Sequence, residues 1–90
     1  QGRRLAAICA APSVLGALGV LEGKEAVCFP GFEEKLTGAT VLEKPAVTSG
    51  NVTTGRGMGA AVDFALEVLT QLQGAETARQ MAEKIVYPYA

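Results

Sequence analysis

Leu5, Ala6, Ala7 and Ile8 form an unbroken apolar run, the pattern of a strand buried on both faces. Cys9, Ala10, Ala11 and Pro12 follow, and then Val14, Leu15 and Leu18 recur at helical spacing. A proline fits the first turn of a helix, where its missing N–H costs nothing, and fits badly deeper in. The pattern therefore predicts a strand that turns straight into a helix, with Cys9 at the joint.

Further along, Ala26, Val27, Cys28 and Phe29 read as a short strand ended by Pro30 and Gly31. The polar stretch "EEKLTGA" predicts a single helical turn. β-branched residues flank Ser49-Gly50-Asn51, which predicts a hairpin turn between strands at Ala46–Thr48 and Val52–Thr54. The glycine-rich "GRGMG" (55–59) leads into the clearest helix. Its apolar stripe is Val62, Ala65, Leu66, Leu69 and Leu72, with Asp63, Glu67, Thr70 and Gln71 largely opposite, and Gly74 as its stop. A last helix over Glu76 to Val86 places Ala78, Met81, Ala82 and Ile85 on one face and turns Glu76/Gln80 and Arg79/Glu83 to solvent. Strands alternating with helices define an α/β pattern. A strand apolar on both faces needs more sheet neighbours and covering helices than these elements supply. The chain also lacks an initiator methionine and enters that strand almost at once. The expectation is the C-terminal part of a larger α/β domain.

Composition narrows the function classes. Ninety residues, 49% of them hydrophobic and 19% charged, suit one globular domain at most. A formal net charge of −1 gives no electrostatic drive toward nucleic acid or an anionic membrane. The longest apolar run is too short to span a bilayer, and no secretory leader pattern opens the sequence. Two cysteines are too few for a disulfide framework, and the absence of histidine argues against a zinc site, so no metal is expected. A reducing, cytoplasmic setting is the expectation.

Cys9 carries two readings. One is a small buried hydrophobe. The other rests on position: a strand-to-helix joint lies at the carboxyl edge of a parallel sheet, where such folds place ligands. Free N–H groups at a helix start favour a thiolate and are suited to holding an oxyanion. Ala7, Ala10 and Ala11 supply the small neighbours of a nucleophile elbow. Cys28, in the middle of an apolar strand, reads as inert. Gly55-x-Gly57-x-x-Ala60 matches a loose dinucleotide fingerprint, but the acidic residue at suitable distance, Glu76, falls in a helical segment, and structural turns explain the glycines more cheaply. Arg56 reads equally as an anion contact or an exposed charge. Glu33 and Glu34 read as a solvated patch, and without histidine no serine–histidine–acid set can form.

Three stretches, "AAICAAP", "CFPGFEEKL" and "VTTGRGMGAAVDFALEVLTQL", in this order and spacing, resemble the C-terminal half of ThiJ/PfpI proteins, on the branch of bacterial relatives of the parkinsonism-associated protein deglycase. The resemblance covers essentially all of residues 1–90. It implies a flavodoxin-like, class I glutamine-amidotransferase-like three-layer α/β sandwich with a mostly parallel sheet, about twice this length and usually a homodimer. It implies cofactor-free hydrolase- or lyase-like chemistry on glyoxals or early glycation adducts, with the family's elbow cysteine at Cys9 and Ala10, Phe29, Arg56 and Gly57 around the oxyanion and pocket. Other members are described as oxidative-stress sensors or redox chaperones whose cysteine is oxidised to the sulfinic acid. In both roles a glutamate from the N-terminal half sits beside the cysteine sulfur. The sequence departs from the family in two places. Many members carry a histidine where Cys28, Phe29 and Pro30 stand, and the proline after the loop glycine is Met58 here. The missing histidine leaves a cysteine–glutamate pair as the expected machinery.

Overall fold

The apolar run at the start forms β1 (Leu5–Ile8), and Pro12 opens α1 (Pro12–Ala17). The structure, a computed structural model, describes residues 3–87. Gly19, with φ of 80°, closes α1: its N–H donates to the Gly16 carbonyl and the Val20 N–H to the Leu15 carbonyl, a glycine C-cap that satisfies the last helical acceptors. Two short strands, β2 (Glu25–Ala26) and β3 (Thr40–Val41), follow and pair in parallel, with a tight helical turn at Glu33–Lys35 between them. The hairpin forms as β4 (Ala46–Ser49) and β5 (Val52–Gly55), turning at Gly50 and Asn51. A second tight turn, Met58–Ala60, leads into α2 (Ala61–Gln73), and α3 (Ala75–Lys84) completes the order. Among the described residues, no helix is long and apolar enough to cross a membrane.

The main sheet has the order β1-β5-β4. β5 runs parallel to β1, with Leu5 opposite Val52 and Ile8 opposite Gly55, and antiparallel to β4. Both β1 and β5 therefore end at one edge, where the chain enters α1 on one side and the glycine loop on the other. Below it lies a core of Leu21, Ala26, Cys28, Leu36 and Val52, packed against Leu15, Phe32, Ala39 and Val41. Leu21 is fully enclosed, and removing such a side chain from water contributes about 1.5–3 kcal/mol.

Four expectations need adjustment. The strand expected over Ala26–Phe29 pairs as a ladder only to Ala26, because the next donors go elsewhere: the Val27 N–H to the Thr54 hydroxyl and the Phe29 N–H to the Cys9 carbonyl. β1 is not buried on both faces. Leu5 is 38% exposed and Ala6 is exposed, because the described elements do not cover both faces of the strand. The stripe expected to bury α2 is covered only in part: Leu66 and Leu69 are half-buried, while Val62 and Leu72 remain exposed, and Phe64, outside the stripe, lays its ring against Gly55. The last helix stops at Lys84, and Val86, with φ of 58°, stands outside it.

Candidate active site at the carboxyl edge

Cys9 has φ of 64°, in the left-handed region that side-chain-bearing residues seldom occupy. That conformation costs about 1–2 kcal/mol in an L-residue, so neighbours must enforce it. They do so from two sides. The Cys9 N–H donates to the Gly55 carbonyl at 3.1 Å, continuing the β1–β5 ladder by one residue. The Phe29 N–H donates to the Cys9 carbonyl at 2.7 Å, fastening the 27–29 segment to the same residue. Beyond it the Ala11 N–H reaches back to the Ile8 carbonyl, and the Ser13 N–H and hydroxyl both donate to the Ala10 carbonyl. Among the described residues, the Ala10 N–H takes no partner. Strand, strained turn and helix follow in succession, which leaves a half-buried thiol at the sheet's carboxyl edge beside a backbone donor unused among the described residues.

Cys28 has the opposite setting. It is a free thiol only 3% exposed, in the apolar core. Burial pushes its pKa up and the Glu33 carboxylate adds to the rise, while the Arg56 guanidinium and a hydrogen bond with the Phe32 backbone oppose it. Glu33 is itself engaged as the acceptor of the Gly31 N–H.

The glycine loop and the 27–30 segment together border a cleft of about 510 Å³. Its lining brings Phe29, Arg56 and Gly57 together, with Lys44, Met58 and Asp63 beside them. Cys9 and Ala10 are not in that lining. They adjoin it through Phe29, whose N–H bonds to Cys9 and whose side chain walls the cleft. Lys44, Met58 and Asp63 were not legible as site residues, because they come from the approach to β4 and from the start of α2, and only the fold makes them neighbours. The one signal was the proximity of Met58 and Asp63 to the glycine loop.

The glycines of that loop have different reasons. At Gly55 an added Cβ would lie 2.7 Å from the Phe64 ring and 3.0 Å from Ile8, so the missing side chain lets α2 close onto the sheet. Gly57 has φ of −178°, ordinary extended backbone, and a Cβ there would make normal contact with Phe29. Glu76 lies on α3, as the helical reading required. Among the described residues, no group of three or more potential metal-ligating side chains gathers.

The DJ-1/PfpI family profile matches residues 1–71, and the chain belongs to that family. It is 41% identical over 88 residues to the protein called DJ-1 homolog B of Arabidopsis thaliana, covering 96% of this chain and 20% of that protein. It is 35% identical over 89 residues to an isonitrile hydratase of Pseudomonas putida (97% and 39%) and 33% identical over 87 residues to the glutathione-independent glyoxalase DJR-1.2 of Caenorhabditis elegans (94% and 46%). The structure of oxidised DJ-1 from Toxoplasma gondii superposes with a TM-score of 0.89 at 34% identity, covering 99% of this chain and 49% of that one. The fold is thus that of the DJ-1 superfamily, and the chain spans less than half the length of these relatives.

Proposed function

We propose that the domain containing this chain is a cysteine-dependent, cofactor-free enzyme acting on α-oxoaldehydes or early glycation adducts, with Cys9 as its nucleophile. The observation that carries the reading is the left-handed backbone of Cys9, held between the Gly55 carbonyl and the Phe29 N–H. Strain of this kind clusters at active sites and switch regions. Two relatives bear enzyme names, a glyoxalase and a hydratase, which supports chemistry on small carbon electrophiles.

With methylglyoxal, the Cys9 thiolate adds to the aldehyde carbon, and the Ala10 N–H holds the oxygen that gains the charge. The hydrogen on that carbon then passes to the neighbouring carbonyl carbon by way of an enediol, leaving a thioester. Water cleaves the thioester to lactate and frees the thiol. The sum is methylglyoxal plus water giving lactate, with no outside oxidant or reductant. The proton carrier is the glutamate that the family resemblance places in the other half of the domain, since this chain has no histidine. The whole domain is expected to work as a homodimer in the cytoplasm. Lactate formation from methylglyoxal by the whole domain, lost in a Cys9→Ser variant, tests the assignment. Undiminished turnover in that variant overturns it.

A second reading has its own support: the Toxoplasma relative was captured in an oxidised form. Here Cys9 acts as an oxidative-stress sensor or redox chaperone. Two equivalents of hydrogen peroxide take its thiolate to the sulfinate and are reduced to water. Oxidation at Cys9 under mild peroxide, with no turnover of any α-oxoaldehyde, favours this reading over the enzyme.

A further inference from the structure

Arg56 lies on the loop after β5, half-buried, with its backbone N–H donating to the Pro45 carbonyl at 3.0 Å. Its guanidinium makes no hydrogen bond or ion pair among the described residues. Arg56 is partly buried and lines the cleft beside Phe29 and Gly57. Lys44 stands on the rim of the same cleft, also without an ion pair. Two carboxylates share the lining. Asp63 accepts the Tyr87 hydroxyl, and Glu43 is exposed to solvent, as is Lys44, so Arg56 is the half-buried cation of the lining. Phe29, 48% exposed, and Met58 give the cleft an apolar wall.

A partly desolvated guanidinium with all its donors unused is matched by a planar or tetrahedral oxyanion, which accepts two of those donors at once. We propose that this cleft binds the anionic end, carboxylate or phosphate, of a small carbonyl compound, with Arg56 as the principal contact and Lys44 as the second cation. The preferred substrates are then carbonyl compounds carrying a separate negative charge, whose carbon chain lies along Phe29 while the reactive carbon meets Cys9. The carbonyl half of this statement rests on the proposed role of Cys9, whereas the anion half stands on the cleft alone.

The test uses the whole protein that carries this chain, with Cys9→Ser to prevent turnover. Pyruvate, inorganic phosphate and neutral hydroxyacetone are titrated by calorimetry. The two anions should bind more tightly than hydroxyacetone. Arg56→Gln should weaken anion binding by about tenfold or more, Arg56→Lys by less, and Lys44→Gln by severalfold. A stronger response to phosphate points to phosphorylated carbonyls, and a stronger response to pyruvate to carboxylated ones. Equal affinity for hydroxyacetone, or anion binding indifferent to Arg56, overturns the proposal. A measurement without substitution guards against a misfolded variant: phosphate and pyruvate should protect Arg56 of the unaltered protein from 1,2-cyclohexanedione, an arginine reagent with no aldehyde group, read by peptide mass, and absence of protection also overturns it. Methylglyoxal turnover by the unaltered protein is scored separately. Anion binding without turnover fails the catalytic reading and leaves this one standing, and turnover without anion binding does the reverse.

Discussion

The Phe29 N–H donates to the Cys9 carbonyl at 2.7 Å, and this bond joins two parts of the site that lie far apart in the sequence. Through it the turn at Cys9 and the wall of the cleft are fastened to each other. The bond uses the main chain of Phe29, not its side chain.

Relieving the turn should stabilise the protein while disabling it. Glycine occupies φ of 64° freely, so Cys9→Gly removes about 1–2 kcal/mol of strain and adds about 0.5–1 kcal/mol of chain entropy cost. The net expectation is a gain of up to about 1 kcal/mol in denaturant unfolding, with activity lost. A marked loss of stability would show that the thiol is there for packing.

The two thiols should separate chemically. Brief iodoacetamide treatment of the folded protein should label half-buried Cys9 well before Cys28, which is 3% exposed. Peptide mass spectrometry reads the order, and labelling of Cys28 first would reverse the assignment.

Alkaline pH should expose the burial of Cys28. Its folded-state pKa lies above the ordinary thiol value of 9.0, chiefly through burial, so the folded chain holds that proton more tightly than the unfolded chain. The resulting stability is fully present below pH 9.0 and declines as pH rises from there through the folded-state value. Denaturant unfolding of the whole protein between pH 8 and pH 10.5 should show that decline, and Cys28→Ala should flatten this part of it while lowering stability at every pH.

Thr54 should act as a structural pin. Its buried hydroxyl accepts the Val27 N–H at 2.9 Å, which is why the segment after β2 leaves the ladder and reaches the turn at Cys9. Thr54→Val strands that donor and should cost about 1–3 kcal/mol, with Thr54→Ser recovering most of it. Equal stability of the valine and serine variants would remove the pin.

Gly55→Ala should loosen the seat of α2. The new methyl group falls 2.7 Å from the Phe64 ring, so a loss of about 1–3 kcal/mol is expected, partly recovered by a second change, Phe64→Leu. Thermal unfolding of the single and double variants measures both.

The elements were legible where local chemistry decides them. Pro12 marked the start of α1, Ser49-Gly50-Asn51 marked the hairpin, and Gly74 marked the break before the last helix. The joint at Cys9 was visible as a change from an apolar run to helical spacing, but the sign of its φ was not, because the Gly55 and Phe29 partners that impose it are distant in sequence. The burial of β1 and the facing of α2 were read from the apolar run and the helical stripe alone. Both depend on which neighbours are present, and in this structure Leu5 and Val62 stay open. Lys44 joined the cleft through tertiary placement, and no spacing rule would have found it.

Because, among the described residues, β1 pairs with β5 alone, the Leu5 and Cys9 N–H groups are spent on that side, and those of Ala6 and Ile8, between them, point to the open edge. A neighbouring strand carried on the same polypeptide meets that edge at the fixed local concentration its tether sets. Carried on a separate chain, the same strand obeys mass action, and the midpoint of unfolding shifts with protein concentration. Thermal melts over a hundredfold dilution, set beside dimer dissociation measured over the same range, therefore separate a tethered neighbour from an untethered one.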